Sequence, residues 1–411
     1  MSRKVPEGWS LKRLGEMMEF QNGFAFKPAD WGSSGLPIVR IQNLNGGGDF
    51  NFYDGYVPAQ FGIKSGDILF CWSGSRGTSF GPRRWKGSQG WLNQHIFRCD
   101  LGPAIDGEFA FYLLEHLTEA IEQAAHGGAG LVHIKKSELV KFDAAMPPLN
   151  EQRRMAEILS SVDEAIAATR AVIEQTRKVK QGVLERMLTK GIGHTRFKQT
   201  EVGEIPEGWE VDLVENNFLV QLGKMLSKAA KSGSEPSPYL RNANVQWGRI
   251  DTDDVLSMDF SKSEKEKFRL KAGDLLVCEG GEVGRSAIWN GDREMYFQKA
   301  LHRLREKSGA VTNQFLYFYL QFFFHSEKLS GGIIGKNSIP HFTREKFLKL
   351  NIPVPTVREQ SQIVQTLLQF EAAVEQNEQA LQRLQDTKSA LMSDLLTGRK
   401  RVTDALLLAA E

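Results

Sequence analysis

Apolar residues recur at a helical period along two long stretches of this chain, residues 151–188 and 359–396, with polar and charged residues between them. Spacings of four and three residues alternate in both stretches, which is the pattern of helices that wrap around one another. At 1.5 Å per residue, each helix would be about 55–60 Å long. The predicted seam consists of Met155, Leu159, Val162, Ile166, Thr169, Ile173, Thr176, Lys180, Val183 and Met187 in the first stretch, and of Ile363, Leu367, Phe370, Val374, Asn377, Leu381, Leu384, Lys388, Leu391 and Leu395 in the second.

The two stretches also share their exceptions and their boundaries. Lys180 and Lys388 occupy the same phase of the seam, and prolines precede both stretches. Gly191 and Gly398 follow them, which fits because proline is tolerated in a first helical turn and glycine commonly ends a helix. We interpret the pair of rods as a spacer. The alternative is that the rods only mediate dimerisation, but each rod follows a globular part of its own.

Short motifs outside the rods occur twice and in the same order. The first copies are Pro6-Glu7-Gly8-Trp9, Lys64-Ser65-Gly66-Asp67-Ile68-Leu69 and Glu151-Gln152, and the second copies are Pro206-Glu207-Gly208-Trp209, Lys271-Ala272-Gly273-Asp274-Leu275-Leu276 and Glu359-Gln360. Chance matches would not keep this order along the chain, so the sequence indicates a tandem duplication.

The repeat predicts the division of the chain. We expect a globular domain at residues 1–149, a linker and a second globular domain at 193–357, long helices at 150–192 and 358–400, and a C-terminal tail at 401–411. Short apolar runs that follow Gly-Asp pairs predict strands. Longer apolar runs between them predict helices. The predicted fold class is therefore α+β, with two similar α/β domains joined by two long antiparallel coiled-coil helices and related by a pseudo-twofold axis. Such a molecule would hold two similar surfaces a fixed distance apart.

Composition and charge narrow the class of protein. Hydrophobic residues make up 41% and charged residues 25% of the chain, as in ordinary soluble domains. The formal net charge is only +2, so contacts to nucleic acid would have to come from local patches. Three separated cysteines predict neither a zinc site nor a disulfide framework. The N-terminus has no apolar signal segment, and the longest apolar run, residues 315–324, predicts a buried helix; we expect a cytoplasmic protein without membrane contact.

Glycine-rich polar turns are the first candidates for contacts to DNA. One turn follows the apolar run at residues 68–71, and its counterpart follows the run at 275–278. Glycine lets the backbone approach a phosphate or a base edge, and arginine can bind guanine or phosphate through two hydrogen bonds. Glycine-rich hairpins are also common structural turns. The candidates here are Ser73, Ser75, Arg76 and Thr78 in the first copy, and Glu282 and Arg285 in the second.

A second group of candidates lies near these turns in the sequence. Asn and Arg are the usual partners of adenine and guanine, although a repeated Arg-Asn pair can equally hold a loop in place. Basic side chains can bind phosphates, although lysine is also the commonest exposed residue. His133 and His341 precede basic segments, and isolated histidines are mostly structural. The candidates in this group are Arg40, Asn43, Arg241 and Asn244 for bases, and Arg83, Arg84, Lys135, Lys336 and Asn337 for phosphates.

The two segments that resemble catalytic or cofactor-binding motifs each lack residues that the motif requires. Residues 331–338 resemble the end of a phosphate-binding P-loop, but Ser330 replaces the first glycine and Asn337 stands where Ser or Thr would hold magnesium. Met146-Pro147-Pro148-Leu149 lacks the Asn and the aromatic residue of the adenine methyltransferase motif. We therefore expect a protein that is not an enzyme and that holds no cofactor.

The duplicated motifs resemble those of the DNA specificity subunit of type I restriction–modification enzymes. The resemblance covers residues 5–400 and includes the Pro-Glu-Gly-Trp, Lys-x-Gly-Asp and Glu-Gln motifs. Leu188-Thr189 and Leu396-Thr397, which close the rods, also fit it. The resemblance implies that each globular domain is a target recognition domain and that the helices fix the separation of two half-sites.

The same resemblance implies partners. A specificity subunit binds double-stranded DNA at a bipartite, asymmetric site and docks two methylation subunits, which use S-adenosylmethionine to form N6-methyladenine. It also recruits restriction subunits, which use ATP and Mg²⁺. Two alternatives stay open: a specificity component of a related DNA-modification defence assembly, and a coiled-coil scaffold whose globular domains bind protein.

Overall fold

The computed structural model describes residues 5–128, 130–231, 236–326 and 342–402. The chain forms two compact units, unit 1 from Met1–Arg170 with Gln379–Glu411 and unit 2 from Ala171–Glu378. Each unit therefore contains one globular part, the first portion of one long helix and the last portion of the other.

The helices are short in the globular parts, apart from α3 and α9, and very long at the end of each repeat. In chain order they are α1 Leu14–Met17, α2 Ile41–Leu44, α3 Gly107–Ala124, α4 Lys136–Leu139, α5 Leu149–Lys190, α6 Val214–Asn217, α7 Lys228–Lys231, α8 Lys262–Phe268, α9 Asn313–His325, α10 Arg344–Leu348 and α11 Val357–Leu396. Helix α9 carries the longest apolar run of the sequence and is buried as predicted. Among the described residues, no helix is long and apolar enough to cross a membrane.

The strands of unit 1 form small, mainly antiparallel sheets. They are β1 Ser10–Arg13, β2 Met18–Asn22, β3 Leu36–Val39, β4 Asn51–Tyr53, β5 Gly62–Ile63, β6 Ile68–Cys71, β7 Ser73–Ser75, β8 Gly81–Arg84, β9 Gly90–Leu92, β10 Ile96–Leu101, β11 His126–Gly127, β12 Leu131–His133 and β13 Asp143–Met146. The sheet orders are β1-β13, β2-β10-β6-β8, β4-β3-β9-β5 and β11-β12-β7. Helix α3 contacts β8 and, with Phe109 and Leu114 fully buried, contributes to the core.

The strands of unit 2 repeat the main sheets of unit 1. They are β14 Phe197–Thr200, β15 Gly203–Pro206, β16 Glu210–Leu213, β17 Phe218–Leu222, β18 Pro236–Leu240, β19 Val245–Gln246, β20 Arg249–Ile250, β21 Leu256–Asp259, β22 Asp274–Cys278, β23 Ser286–Trp289, β24 Tyr296–Phe297, β25 Leu301–Glu306 and β26 Asn351–Val354. The orders β16-β26, β17-β25-β22-β23 and β21-β18-β24 match β1-β13, β2-β10-β6-β8 and β4-β3-β9 of unit 1. The predicted α+β class and tandem duplication are confirmed.

The repeated Lys-x-Gly-Asp motif forms the tight turn that precedes the central strand of each unit. Gly66 and Gly273 adopt φ of 92° and 89°, a conformation that glycine reaches without steric cost. The Asp67 carboxylate accepts a hydrogen bond from the backbone N–H of Lys64 at 2.8 Å, and Asp274 accepts one from Lys271 at 2.8 Å. The motif thus specifies a turn.

A second repeated glycine marks a close approach of two backbones. Gly23 lies where a Cβ atom would be 2.1 Å from the carbonyl oxygen of Asn93, and at Gly223 it would be 2.3 Å from that of Gln298. Parallel bridges join Phe24 to Asn93 and Lys224 to Gln298 beside these points. Only glycine allows this crossing, since any side chain would displace backbone rather than a flexible side chain.

Replacing Gly223 by Ala should therefore destabilise unit 2. We expect a loss of about 2–3 kcal/mol in the free energy of unfolding, the usual cost of overpacking a fixed site. Gly208→Ala is the matched control, because nothing lies within 4 Å of a Cβ at that position. Urea denaturation of both variants checks this, and an equal, small effect of the two substitutions would contradict the role given to Gly223.

The long helices follow the predicted seam over most of their length. Met155, Leu159, Ile363 and Leu367 are fully buried. The last turns of both helices bury residues outside the predicted seam. Leu184 and Leu188 are buried, and so are their counterparts Met392 and Leu396; each lies one residue after a predicted seam position. At these ends the helix packs against a globular core as well as against another helix, so a wider apolar face is covered.

The two helical portions within each unit run antiparallel. In unit 2, Lys180 pairs with Glu371 at 2.7 Å, and Arg177, earlier in α5, pairs with Glu378, later in α11. In unit 1, Lys388 of α11 pairs with Asp163 of α5 at 3.0 Å. The antiparallel pairing predicted from the sequence is thus present in both units.

The two seam lysines, which look like defects in the sequence, are paired cations. Lys388 contacts Glu115 as well as Asp163, each at 3.0 Å, and its side chain is only 16% exposed. The hydroxyl of Tyr112 donates to Asp163 at 2.8 Å. In unit 2 the lysine at the same seam position, Lys180, pairs with Glu371. The Glu371 carboxylate also accepts a hydrogen bond from the hydroxyl of Tyr317 in α9, at 2.8 Å.

Substitution of Lys388 by Met should leave two acidic groups close together without their cation. We expect a loss of about 1–2 kcal/mol in the free energy of unfolding, because the group is mostly but not fully buried. Arg177→Met is the control, since Arg177 is 52% exposed and its ion pairs should contribute less than about 0.5 kcal/mol. Thermal unfolding at low and high salt compares the two, and equal effects would contradict the account of the seam.

Candidate nucleic-acid interface

The glycine-rich turn of unit 1 lies at the C-terminal end of α3. The carbonyl oxygen of Ser75 accepts hydrogen bonds from the backbone N–H groups of Thr78, Ser79 and Phe80 at 3.1–3.3 Å, which closes the turn. The Arg76 guanidinium donates to the carbonyl oxygen of Glu122 at 2.7 Å. The turn is thus anchored to the helix and still exposes Ser75, Arg76 and Thr78 in part or fully.

Strand pairing brings a distant segment beside this turn. Strand β7 pairs with β12, so that Ser73 lies opposite His133 and Ser75 lies opposite Leu131. The backbone N–H of Ile134 donates to the carbonyl oxygen of Trp72 at 2.9 Å, and the exposed Lys135 follows directly. The predicted candidates Ser73, Ser75 and Lys135 are therefore neighbours in the structure.

The arginines of β8 have intramolecular partners. Arg83 donates to the side-chain oxygen of Asn45 at 3.3 Å and to the carbonyl oxygen of Thr78 at 2.5 Å. Arg84 pairs with Glu108 at 2.7 Å and stacks over the ring of Phe111. Arg83 therefore braces the glycine-rich turn against the loop that contains Asn45, and Arg84 fixes β8 on α3.

The Arg-Asn pairs form the same loop twice. Asn43 accepts from the backbone N–H of Arg40 at 3.0 Å and donates to the carbonyl oxygens of Gly47 and Asp49 at 3.3 and 3.0 Å. Its amide atoms are thereby engaged, and the residue is buried. The Arg40 guanidinium lies over the ring of Trp31, 5.0 Å from its centroid.

Unit 2 repeats these contacts with Asn244. Its side chain accepts from Arg241 at 3.0 Å and donates to the carbonyl oxygens of Asp251 and Asp254 at 3.1 and 2.9 Å. The Arg241 guanidinium pairs with the Asp254 carboxylate. Buried amides with these partners hold a loop, so the geometry favours loop anchoring over base reading for Asn43 and Asn244.

The same loop meets the glycine-rich turn of unit 2. Asn242 donates to the carbonyl oxygen of Gly280 at 2.9 Å, and Arg285 donates to the carbonyl oxygen of Asn242 at 2.8 Å. Glu282 accepts from the indole N–H of Trp247 at 2.6 Å and lies 3.5 Å from Arg285. The structure thus brings the two predicted groups of candidates together here as well. Lys336, Asn337 and His341 lie outside the described residues.

The repeated Glu-Gln motif is a junction that the sequence did not assign to a role. In unit 1 the Glu151 carboxylate accepts a hydrogen bond from the indole N–H of Trp9 at 3.2 Å and pairs with Arg401. Gln152 accepts from the backbone N–H of Asp106 at 2.8 Å and donates to two carbonyl oxygens. The start of α5, the Pro-Glu-Gly-Trp motif and the end of the described chain therefore meet at one carboxylate.

Unit 2 has the same junction with a histidine in place of the arginine. Glu359 accepts from the indole N–H of Trp209 and from the backbone N–H of Ile192, both at 2.9 Å. The ring Nε2 of His194 lies 2.9 Å from the same carboxylate, where unit 1 has an arginine. Gln360 repeats the contacts of Gln152 by accepting from Thr312 at 3.0 Å. The repetition of Trp and Glu in the sequence was the signal for this contact.

The sequence predicts that the apolar C-terminal segment from Val402 to Ala410 contacts methylation subunits, but its first residue is buried. Val402 is 2% exposed and belongs to the core of unit 1, so it is not available to a partner. Residues 403–411 lie outside the described part of the chain.

The cysteines are buried thiols. Burial raises the pKa of Cys71 to about 12 and that of Cys278 to about 11, and it raises the pKa of Cys99 as well. A thiol with so high a pKa stays protonated near neutral pH, which suits neither a nucleophile nor a metal ligand. Within the described ranges, no group of three or more His, Cys, Asp or Glu side chains is placed to hold a metal ion.

Known proteins are similar in sequence to this chain over nearly its whole length. The model of the type I restriction modification DNA specificity domain matches this chain twice, at residues 6–176 and 206–386. The chain is 28% identical to the type I restriction enzyme MjaVIII specificity subunit of Methanocaldococcus jannaschii, over 97% of this chain and 94% of that protein. It is 22% identical to the type I restriction enzyme EcoKI specificity subunit of Escherichia coli strain K12, over 96% of this chain and 90% of that protein.

Solved structures agree on the fold. The S subunit of a type I restriction–modification system from M. genitalium aligns with a TM-score of 0.57 and 16% identity, covering 96% of this chain and 98% of that one. A chain from a study of complex assembly and conformational transition in the type I R-M system aligns with a TM-score of 0.61, at the same identity and coverage. With both repeats matched by one family model, the chain belongs to the type I restriction–modification DNA specificity family.

Proposed function

We propose that this chain is the non-catalytic DNA specificity subunit of a type I restriction–modification complex. In this role it reads a bipartite, asymmetric site, with one half-site for each unit. The observation that carries the proposal is the double match of the specificity-domain model, each copy covering one globular part and part of the long helix that follows.

The paired surface elements support reading by both units. In unit 1 the glycine-rich turn and the Arg40 loop are joined through Arg83, and in unit 2 the equivalent elements are joined through Arg285. The turns differ in chemistry, because unit 1 presents Ser, Arg and Thr where unit 2 presents Glu and Gly. Different donors and acceptors on a shared framework would select two different half-sites.

We divide the candidate residues into those proposed to contact DNA and those proposed to position the contacting turns. Ser73, Ser75, Arg76 and Thr78 in unit 1 and Glu282 in unit 2 lie on the turns and are proposed to face bases or phosphates. The exposed Lys135 is proposed to bind phosphate. Arg83, Arg84 and Arg285, together with the loops of Arg40 and Arg241, are proposed to position the turns; Lys336 and Asn337 keep their sequence-based proposal as phosphate contacts.

Partner subunits would supply the chemistry. We propose that two methylation subunits, which bring S-adenosylmethionine, dock on the outer faces of the long helices, and that restriction subunits bring ATP and Mg²⁺. Val172 and Val179 on α5 are 48% and 42% exposed and lie two helical turns apart on one face. Two exposed valines on the outer face of the helix are a suitable contact for a partner helix.

A binding measurement with the assembled complex tests the proposal. The chain is purified with its methylation subunits, and the affinity for duplexes drawn from the host genome is measured between 50 and 300 mM salt, with the methylation subunits alone as control. We expect tight binding to a subset of duplexes that requires this chain and weakens steeply with salt, because phosphate contacts release counterions. If this chain adds no salt-sensitive affinity for any duplex, it is a protein-binding scaffold and the proposal fails.

A further inference from the structure

A small sheet in unit 1 presents one face to solvent. Its strands β7, β12 and β11 are paired so that Leu131 lies opposite Ser75, and His133 lies opposite both Ser73 and His126. Directly opposed residues in antiparallel strands share a face, so these five side chains lie together. Three of them come from residues 126–133, which are distant in sequence from the glycine-rich turn.

The opposite face holds this surface in place. Val132, between Leu131 and His133, is fully buried in the core of unit 1. Gly74, opposite Val132, has no room for a side chain, since a Cβ atom would lie 2.6 Å from the hydroxyl oxygen of Ser79. The exposed side chains are therefore presented by a strand pair whose other side is fixed.

The chemistry of the face is unusual for a solvated surface. Leu131 is 63% exposed, although its neighbour along the strand, Val132, is fully buried. The rings of His126 and His133 lie 5.9 Å apart beside the two serine hydroxyls. One acidic group, Glu138, lies against the edge of the face and contacts His126 at 2.9 Å, while the exposed Lys135 and Arg76 flank it.

Building on the function proposed above, we propose that His126, Leu131 and His133 belong with Ser73 and Ser75 to the base-reading surface of unit 1. This surface would enter the major groove of duplex DNA. A major groove about 12 Å wide admits a two-stranded ribbon, and the two strands that carry Ser73, Ser75, Leu131 and His133, β7 and β12, are about 4.8 Å apart, with β11 beside them.

Each side chain has a base feature that it suits. An imidazole N–H can donate to the N7 or O6 acceptors of guanine, and a serine hydroxyl can either donate or accept. An exposed leucine can pack against the methyl group of thymine. Leu131 is the residue that distinguishes this reading from a purely electrostatic surface, because a phosphate contact has no use for an aliphatic side chain.

The test compares Leu131→Ala and His133→Ala with Leu11→Ala, a control at another exposed leucine of unit 1, which is 48% exposed. Each variant replaces the native chain in the organism that carries the gene, and genomic N6-methyladenine is mapped by single-molecule sequencing. We expect the Leu131 and His133 variants to relax one or two positions of one half-site and leave the other half-site unchanged. The affinity of the purified complex for its own site should fall about tenfold, and the affinity for unrelated duplex should stay the same.

Other outcomes would overturn the inference in distinguishable ways. If the Leu131 and His133 variants keep the native motif and affinity, this face does not read bases. If they fold normally but no longer assemble with the methylation subunits, the face binds protein. If the unaltered chain directs no methylation motif at all, the proposed function fails, and the inference fails with it.

Discussion

Replacing Glu151 or Glu359 by Ala should destabilise the unit that contains it by about 3 kcal/mol, because a buried carboxylate with several partners is lost. The Glu151 side chain is 9% exposed and that of Glu359 is 11% exposed. Removal of Glu359 would leave the indole N–H of Trp209 and the backbone N–H of Ile192 without their acceptor. The free energy of unfolding, followed by urea denaturation and hydrogen exchange, measures the effect.

A control on the same helix separates this junction from a general effect of lost charge. Glu157 is 64% exposed and pairs with Arg154 one turn away on the same helix, so Glu157→Ala should change stability by less than about 0.5 kcal/mol. The loss of stability in Glu151→Gln should lie between those of Glu151→Ala and Glu157→Ala. The glutamine keeps an acceptor for the indole N–H of Trp9 but loses the ion pair with Arg401. A Glu151→Ala variant as stable as Glu157→Ala would show that the junction does not hold the globular part to the helix.

Lengthening both long helices by one heptad should change the spacing of the recognised site and leave its half-sites unchanged. Seven residues add about 10.5 Å of helix, which corresponds to about three base pairs at 3.4 Å per pair. The insertions belong near residue 170 in α5 and residue 378 in α11, where the chain passes between units. Mapping of N6-methyladenine would then report a motif whose unread gap is longer by about that amount.

A single insertion is the control for this prediction. A heptad added only to α5 would make α5 longer than α11 between the Asp163–Lys388 and Lys180–Glu371 pairs, so that both pairs could not form at once, and should reduce methylation at every site. The paired insertion should restore it. A paired insertion that changed the half-sites while keeping the gap would contradict the role of the helices as a ruler.

Repetition made much of the fold predictable from one sequence. The tandem duplication, the antiparallel helices and the strands that follow Lys-x-Gly-Asp were predicted from local patterns that occur twice, whereas the order of the strands in the sheets came only from the structure. Buried helix positions outside the predicted seam include Leu184, Leu188 and their counterparts, because a heptad describes one helix facing another. There the helix meets a globular core, whose position the helix sequence does not encode.

The candidate interface was less predictable, because its contacts join distant segments. Asn43 and Asn244 have the residue type of a base reader, yet their amides hold loops, which only the three-dimensional contacts reveal. An isolated histidine such as His133 is usually structural, yet His133 is exposed and lies beside Ser73 because β12 pairs with β7. The local sequence of β7 or of β12 does not predict that these two strands pair.

The most direct test of the account is the adenine methylation pattern of the host genome with this gene intact and deleted. We predict that deletion removes one bipartite motif, two short half-sites around a fixed unread gap, and that returning the gene restores it. Methylation motifs that are identical with and without the gene, in cells that express the partner subunits, would contradict the assignment of this chain as their DNA reader.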